Sequence, residues 1–232
     1  MKKIAVFSDI HGNYQALDAI LNDIKKYNYD EVIFLGDAIG IGPEPYKCLD
    51  RLLKSNITYI YGNHEMYILE GHDNFSNIKE SAKPHHKWTE NETKTLHSEL
   101  KKRMIKDKII ENVKFMHYQF DDNGYILRPN DYPTIEYLDN IYNNINQEYI
   151  IFGHSHVAHY NIGKKHYYCL GSSGCVHDYE TFYNEVTIDN GNVLFKKHYI
   201  KYNREEFINT VNKTDFPLKK FMCDVFFGIK VK

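Results

Sequence analysis

Asp9-Ile10-His11, Gly36-Asp37, Gly62-Asn63-His64, His117 and Gly153-His154-Ser155-His156 are short motifs scattered between residues 9 and 156. Together they supply carboxylate oxygens, an amide oxygen and several imidazoles, nearly all directly after an apolar run. Such donors, without thiolate, suit Mn, Fe, Zn, Co or Ni and argue against a structural Cys-type zinc site. A carboxylate has two oxygens, so Asp37 could bridge two ions. Metals about 3.5–4 Å apart can hold a hydroxide between them and clamp a phosphoryl group for in-line attack. The cations lower the pKa of that water, so no separate general base is required. His64, beside Asn63, is placed to protonate a leaving oxygen or to stabilise charge on it. The reaction these residues spell is phosphoester hydrolysis.

Each motif has a plainer reading when taken singly. Asp9 could be a helix cap, Gly36-Asp37 a common turn, Asn63 a turn residue and His117 a core histidine. His154 and His156 would face one way on an extended segment, as surface pairs also do. Their joint order, each at the end of a strand, outweighs the separate alternatives. Other histidines read as solvated: His72, His85, His86 and His97, and equally His159, His166, His177 and His198. Gly171-Ser172-Ser173-Gly174 reads equally as a phosphate-contacting loop or as a turn. Cys48, Cys169, Cys175 and Cys223 form no Cys-x-x-Cys and read as buried small hydrophobes.

The elements that must position the motifs follow from periodicity. Residues 4–8, 32–35 and 57–61 are apolar runs read as strands. Leu17, Ile20, Leu21 and Ile24 recur at helical spacing, and so do Cys48, Leu49, Leu52 and Leu53 after Pro45. Strand–helix alternation means right-handed βαβ units and a parallel sheet, whose strand ends form a ligand crevice. Residues 66–112 are polar and read as a helical cap beside the site. There Thr89 and Glu92 fit a capping box, with Leu96, Leu100 and Met104 continuing the helix. Strands are expected at 113–116 and 149–152, and a helix near 134–145. Antiparallel strands are expected at about 166–170, 184–188 and 193–200, with a hairpin turn at 189–192. A helical tail, broken at Pro217, occupies 203–223.

Composition bounds the class. The 232 residues suit one α/β domain with an inserted cap, and 42% hydrophobic with 26% charged residues describes a core-forming chain. A net charge of −2 gives no grip on nucleic acid or an acidic membrane. No apolar run approaches the roughly 20 residues that span a bilayer. The N-terminal run is interrupted by Asp9, which reads as a first strand rather than a leader and places the chain in the cytoplasm.

The motifs resemble those of the calcineurin-like metallophosphoesterases: Asp-x-His, Gly-Asp, Gly-Asn-His, a His, then Gly-His-x-His. Residues 8–13 and 36–45 look like a small bacterial and archaeal subgroup described as serine/threonine phosphatase-like or phosphodiesterase-like. Trp88-Thr89 and the tail at about 203–229 are similar as well. The resemblance implies a four-layer α/β/β/α sandwich (α/β, or α+β in some schemes), with the late antiparallel strands forming most of a second sheet. It implies one domain over 1–232, with the cap at about 66–112 and the tail at about 203–232. It implies two divalent or trivalent transition-metal ions, Mn or Fe favoured. Asp9, His11, Asp37 and His156 would hold one, and Asp37, Asn63, His117 and His154 the other. Asn63 and His64 would meet the substrate phosphate. The expected substrate is small, phosphorylated and nucleotide-like: a monoester, diester or dinucleoside polyphosphate. The alternatives are a protein serine/threonine phosphatase and a non-catalytic module on the same fold. Membrane and nucleic-acid partners are not expected, and oligomeric state is unassigned. Three positions depart from the family pattern. Glu65 replaces an Asp that can orient the histidine. Tyr118 is bulky where Gly is usual, which would narrow the pocket. Leu170-Gly171-Ser172 replaces Pro-Gly-Ser, and the Arg that often follows is missing; Arg103 or Arg128 are the candidates to replace it.

Overall fold

The computed structural model describes residues 1–75 and 78–231. In chain order the elements are β1 (Lys2–Phe7), α1 (Tyr14–Ile24), β2 (Glu31–Phe34), α2 (Pro45–Leu53), β3 (Thr58–Ile60) and α3 (Asn63–Glu70). Then come α4 (Lys83–Thr93), α5 (His97–Arg103), β4 (Met104–Ile105), β5 (Asp107–Ile110), β6 (Val113–Met116) and α6 (Ile135–Ile141). The last are β7 (Tyr149–Phe152), β8 (His159–Ile162), β9 (His166–Cys169), β10 (Glu180–Asp189), β11 (Asn192–Lys201), α7 (Arg204–Lys213) and α8 (Lys219–Phe227). No helix among the described residues is long and apolar enough to cross a membrane.

Two sheets form, in the orders β11-β10-β1-β2-β3-β4 and β5-β6-β7-β9-β8. The period-2 alternation of each strand explains the layering. Ile4 and Val6 of β1 face inward to meet Val113, Phe115 and Ile151 of the other sheet. Ala5 and Phe7 face outward onto Leu17, Ile20 and Leu21 of α1 and Leu49 and Leu52 of α2. Ile150 and Phe152 of β7 point outward to Leu138 and Tyr142 around α6. The result is the expected four-layer α/β/β/α sandwich. In α1 the helical spacing meets a proper cap, Asn13 Oδ1 accepting from Ala16 N at 3.1 Å.

Several expectations are corrected. The late hairpin β10-β11 does not build the second sheet; β10 pairs antiparallel with β1, Lys2 opposite Ile188. Val186 and Ile188 extend the inter-sheet layer from the first sheet's edge, which fixes their side. β9 runs parallel to β7 and is antiparallel only to β8. Thr89 is not a helix cap but lies inside α4, its hydroxyl donating to His85 O at 3.0 Å. That helix does not continue to Met104: a tight turn at Lys94–Leu96 separates α4 from α5, and Met104 opens β4. The 189–192 turn is as expected, with Asn190 and Gly191 both at positive φ.

Candidate metal centre

The motif residues sit on the turns that leave the strands. Asp9, His11, Asp37, His154 and His156 all have φ between 48° and 70°. Left-handed backbone at non-glycine residues costs on the order of 1–3 kcal/mol each and persists only where the surroundings enforce it. Here they do. Asp9 N donates to Gly36 O and His11 N to Asp37 O, both at 3.0 Å. The 171–174 loop straps the other side: Ser172 Oγ donates to Asp9 O at 2.7 Å and Gly174 N to the same oxygen at 3.0 Å. Of the two readings of that loop, its Ser172 and Gly174 are spent as a backbone brace.

Glu65 supplies a second brace. Its buried carboxylate accepts from Asp37 N (2.9 Å), Ala38 N (2.8 Å), Gly62 N (2.7 Å) and Tyr59 Oη (3.0 Å). It therefore fixes the backbone of the Asp37 turn rather than orienting the His64 ring. The longer side chain serves this role because it must span from α3 back to the next strand end. Gly62 is required by close approach: a Cβ there would meet Asp37 Oδ1 at 2.1 Å.

The side chains converge. His11 Nδ1–H donates to Ile39 O (2.8 Å), His117 Nδ1–H to Leu35 O (2.8 Å) and His154 Nε2–H to Leu127 O (3.0 Å). Backbone carbonyls on the rear nitrogens turn the other nitrogens inward and fix the tautomer, as metal-ligating histidines require. His117 Nε2 and His154 Nδ1 then stand 3.2 Å apart, close enough to share one proton or one metal ion. His11 Nε2 and His156 Nε2 are 2.9 Å apart. Asp9 Oδ1 lies 3.7 Å from His11 Nε2 and 3.6 Å from His156 Nε2. Asn63 Oδ1 lies 3.2 Å from His117 Nε2. Asp37 stands between the two groups. Its Oδ1 accepts from His64 N at 2.9 Å, while Oδ2 is 3.7 Å from His11 Nε2 and 3.3 Å from His117 Nε2.

The electrostatics fit a site made for positive charge. Burial opposes ionisation of Asp9, yet the His11 hydrogen bond and nearby imidazoles hold it at about 2. Asp37, buried likewise, is driven well below the carboxylate range by His117 and His64. Burial disfavours charge on His117, but Asp37 overrides it and raises the group to about 9. His154 and His156 are lowered by burial to about 3 and 4. In the bare chain, protons on His117 and His11 thus balance the carboxylates, and a divalent cation would displace them.

His64 lies beside this group, within ligand distance of His11 and Asp37. Burial lowers its pKa well below the imidazole value, so the ring is neutral. Gly40 sits at φ 104° against its Nδ1, and any Cβ there would come within 1.8 Å of that nitrogen. Only Nε2 remains for chemistry, which favours hydrogen-bond stabilisation over donation from an imidazolium.

The cleft beside the centre is walled by residues whose roles sequence reasoning missed. Tyr67, Ile78, Lys79, His86, Ile126 and Arg128 border a cavity of about 290 Å³ whose floor is Asn63, His64 and His154. His85 and His86 are buried, not solvated. His86 lies 5.5 Å from the His64 ring and 5.2 Å from Tyr67, and His85 Nδ1–H donates to Pro217 O at 2.9 Å. Their helical position becomes readable only once Pro84 is known to start α4. Arg128 is exposed at the cleft, but Arg103 is not part of it, since its guanidinium donates to Ser55 O at 2.8 Å. Tyr118 does not narrow the pocket; it is buried against Phe152 and Tyr142, its ring 5.2 Å from His154. Cys175 is a further donor near His11 and His156, with its thiol pushed up by burial. The four cysteines are free.

Comparison with known proteins adds independent findings. The family model for calcineurin-like phosphoesterases matches residues 2–195. An uncharacterized protein of Methanocaldococcus jannaschii is 29% identical over 177 residues, covering 68% of this chain and 64% of that protein. A symmetrical bis(5'-nucleosyl)-tetraphosphatase of Wigglesworthia glossinidia brevipalpis is 36% identical over 81 residues, 34% of this chain and 30% of its own. The chain thus spans less than two-thirds of these relatives. The crystal structure of a metallophosphoesterase from Sphaerobacter thermophilus superposes with a TM-score of 0.68 at 20% identity, covering 90% of this chain and 92% of that one. That likeness concerns the fold.

Proposed function

This chain belongs to the calcineurin-like phosphoesterase family, and from that premise we propose that it is a phosphoric ester hydrolase that cleaves a small, nucleotide-like phosphoester at a two-metal centre. The observation that carries the reading is the placement of Asp37 Oδ2 between His11 and His117 while Oδ1 is held by the His64 amide. Asp9, His11, Asp37 and His156 would hold one divalent ion, and Asp37, Asn63, His117 and His154 the other. Ions so held would polarise the phosphoryl oxygens and make water a better nucleophile at neutral pH.

The chain's own residues do the rest. His64 directs Nε2–H toward the leaving oxygen and stabilises the charge that develops there. Glu65 and the 171–174 loop keep the aspartates in place. Arg128 and Lys79 border the cleft with positive charge, suited to a phosphate-bearing substrate. We take the domain as one working unit, with about 66–112 as its cap and about 203–232 as its tail. A small molecule fits a cavity of about 290 Å³ better than a folded phosphoprotein does. The nucleoside preference draws on the tetraphosphatase relative. The test is hydrolysis of a chromogenic phosphoester by Mn-loaded protein. Turnover that disappears in Asp37→Asn supports the reading, and full turnover in that variant refutes it.

A further inference from the structure

The cleft has a second lobe, and we infer from the pair that the substrate carries an organic group on both sides of the attacked phosphorus, as a phosphodiester does. This inference rests on the phosphoesterase reading above. The cap lobe is the cavity of about 290 Å³ already described. The tail lobe, of about 400 Å³, is walled by Asp131, His177, Val225 and Phe226 and floored by His156 and Ser155. His154 and Pro129 border both. The segment 127–131 therefore crosses above His154, held by the bond from His154 Nε2–H to Leu127 O, and divides the cleft. The cap lobe opens on Asn63, and the tail lobe on His156, so each lobe faces a different half of the ligand set.

A monoester ends at its phosphate on one side and would fill only one lobe. The other lobe would be left as wet apolar surface. The tail lobe is built to lose water: Phe226 meets the His156 ring edge-on at 5.7 Å. Beside it, α8 leaves Phe221 56% and Val225 49% exposed, one turn apart. Apolar surface next to a polar site gains most by covering a ring or hydrocarbon group.

The lobes also assign the two ester groups. His64 borders the cap lobe, so the leaving group sits there and the retained group sits in the tail lobe. Water oxygen forms the new bond to phosphorus, and the P–O bond to the cap-lobe group breaks. One water proton ends on the leaving oxygen, and the other stays with the monoester or passes to solvent. The products are an alcohol from the cap lobe and a phosphomonoester from the tail lobe.

The test uses Mn-loaded full-length chain with bis(p-nitrophenyl) phosphate and p-nitrophenyl phosphate. The wild type should favour the diester by about tenfold or more in kcat/KM, the discrimination a single well-filled pocket supplies. Val225→Asp, at an exposed position, and Phe226→Ala should each shrink that ratio by about tenfold, mainly through KM of the diester. Melting curves confirm that the variants fold, and Val225→Asp keeps the test valid if Phe226→Ala does not. Preference for the monoester, or a ratio untouched by Val225→Asp, overturns the two-lobe inference and leaves the phosphoesterase reading standing. Hydrolysis of neither ester overturns both.

Discussion

At the floor of the cleft, candidate ligands hold left-handed backbone angles and are tied by short bonds from Glu65, Ser172 and their own neighbours. In the wall above, α4 keeps ordinary helical geometry and brings His86 to the cleft. The floor is strained and braced because its chemistry tolerates little displacement. The wall is assembled from ordinary helix and loop positions that border one cavity. Reaction type is therefore set by a few turns, and substrate choice by surfaces that can change without disturbing them.

That division can be broken experimentally. Asp37→Asn should remove several kcal/mol of charge stabilisation, a loss of about 10³-fold or more in kcat. A small effect would deny the floor its primacy. His64→Ala should cost about 10²–10³-fold in kcat while metal content, read by elemental analysis, stays unchanged. Loss of metal as well would make His64 a ligand. Glu65→Ala leaves three buried amides without an acceptor and should destabilise the fold by about 3 kcal/mol or more, measured by denaturant unfolding. His86→Ala, in the wall, should change KM by no more than about tenfold and leave metal binding intact. A collapse of kcat there would erase the distinction between wall and floor.

Acidity sharpens the same comparison. In chelator-stripped protein His117 is raised from 6.5 to about 9, so its contribution to stability is full below 6.5 and is lost as pH rises through 9. His86, His154 and His156 are lowered to about 4, 3 and 4, so their contribution is lost as pH falls from 6.5 toward those values. The stripped chain should be most stable near neutral pH, by thermal melting. Metal loading should abolish the alkaline loss, because the ion replaces the proton on His117.

Much of the floor was legible because each candidate follows an apolar strand, and strand ends in such sheets converge on one edge. Glu65 was visible as a departure, but its four bonds depend on turns that are distant in sequence. The membership of β10 was not legible, since alternation of Val186 and Ile188 tells which face is buried and not which strand lies alongside. His86 was misread because Lys83–Thr93 is a polar stretch whose inward face is set by what packs on it. Phe226 drew no notice, since a tail residue becomes a wall only when α8 reaches back to His156.

Electron paramagnetic resonance of the Mn(II)-loaded chain tests the central claim most directly. Two ions bridged by Asp37 predict an exchange-coupled spectrum at about two Mn per chain, reverting to isolated-ion signals in Asp37→Asn. An isolated-ion spectrum from the wild type at saturating Mn would contradict the two-metal account.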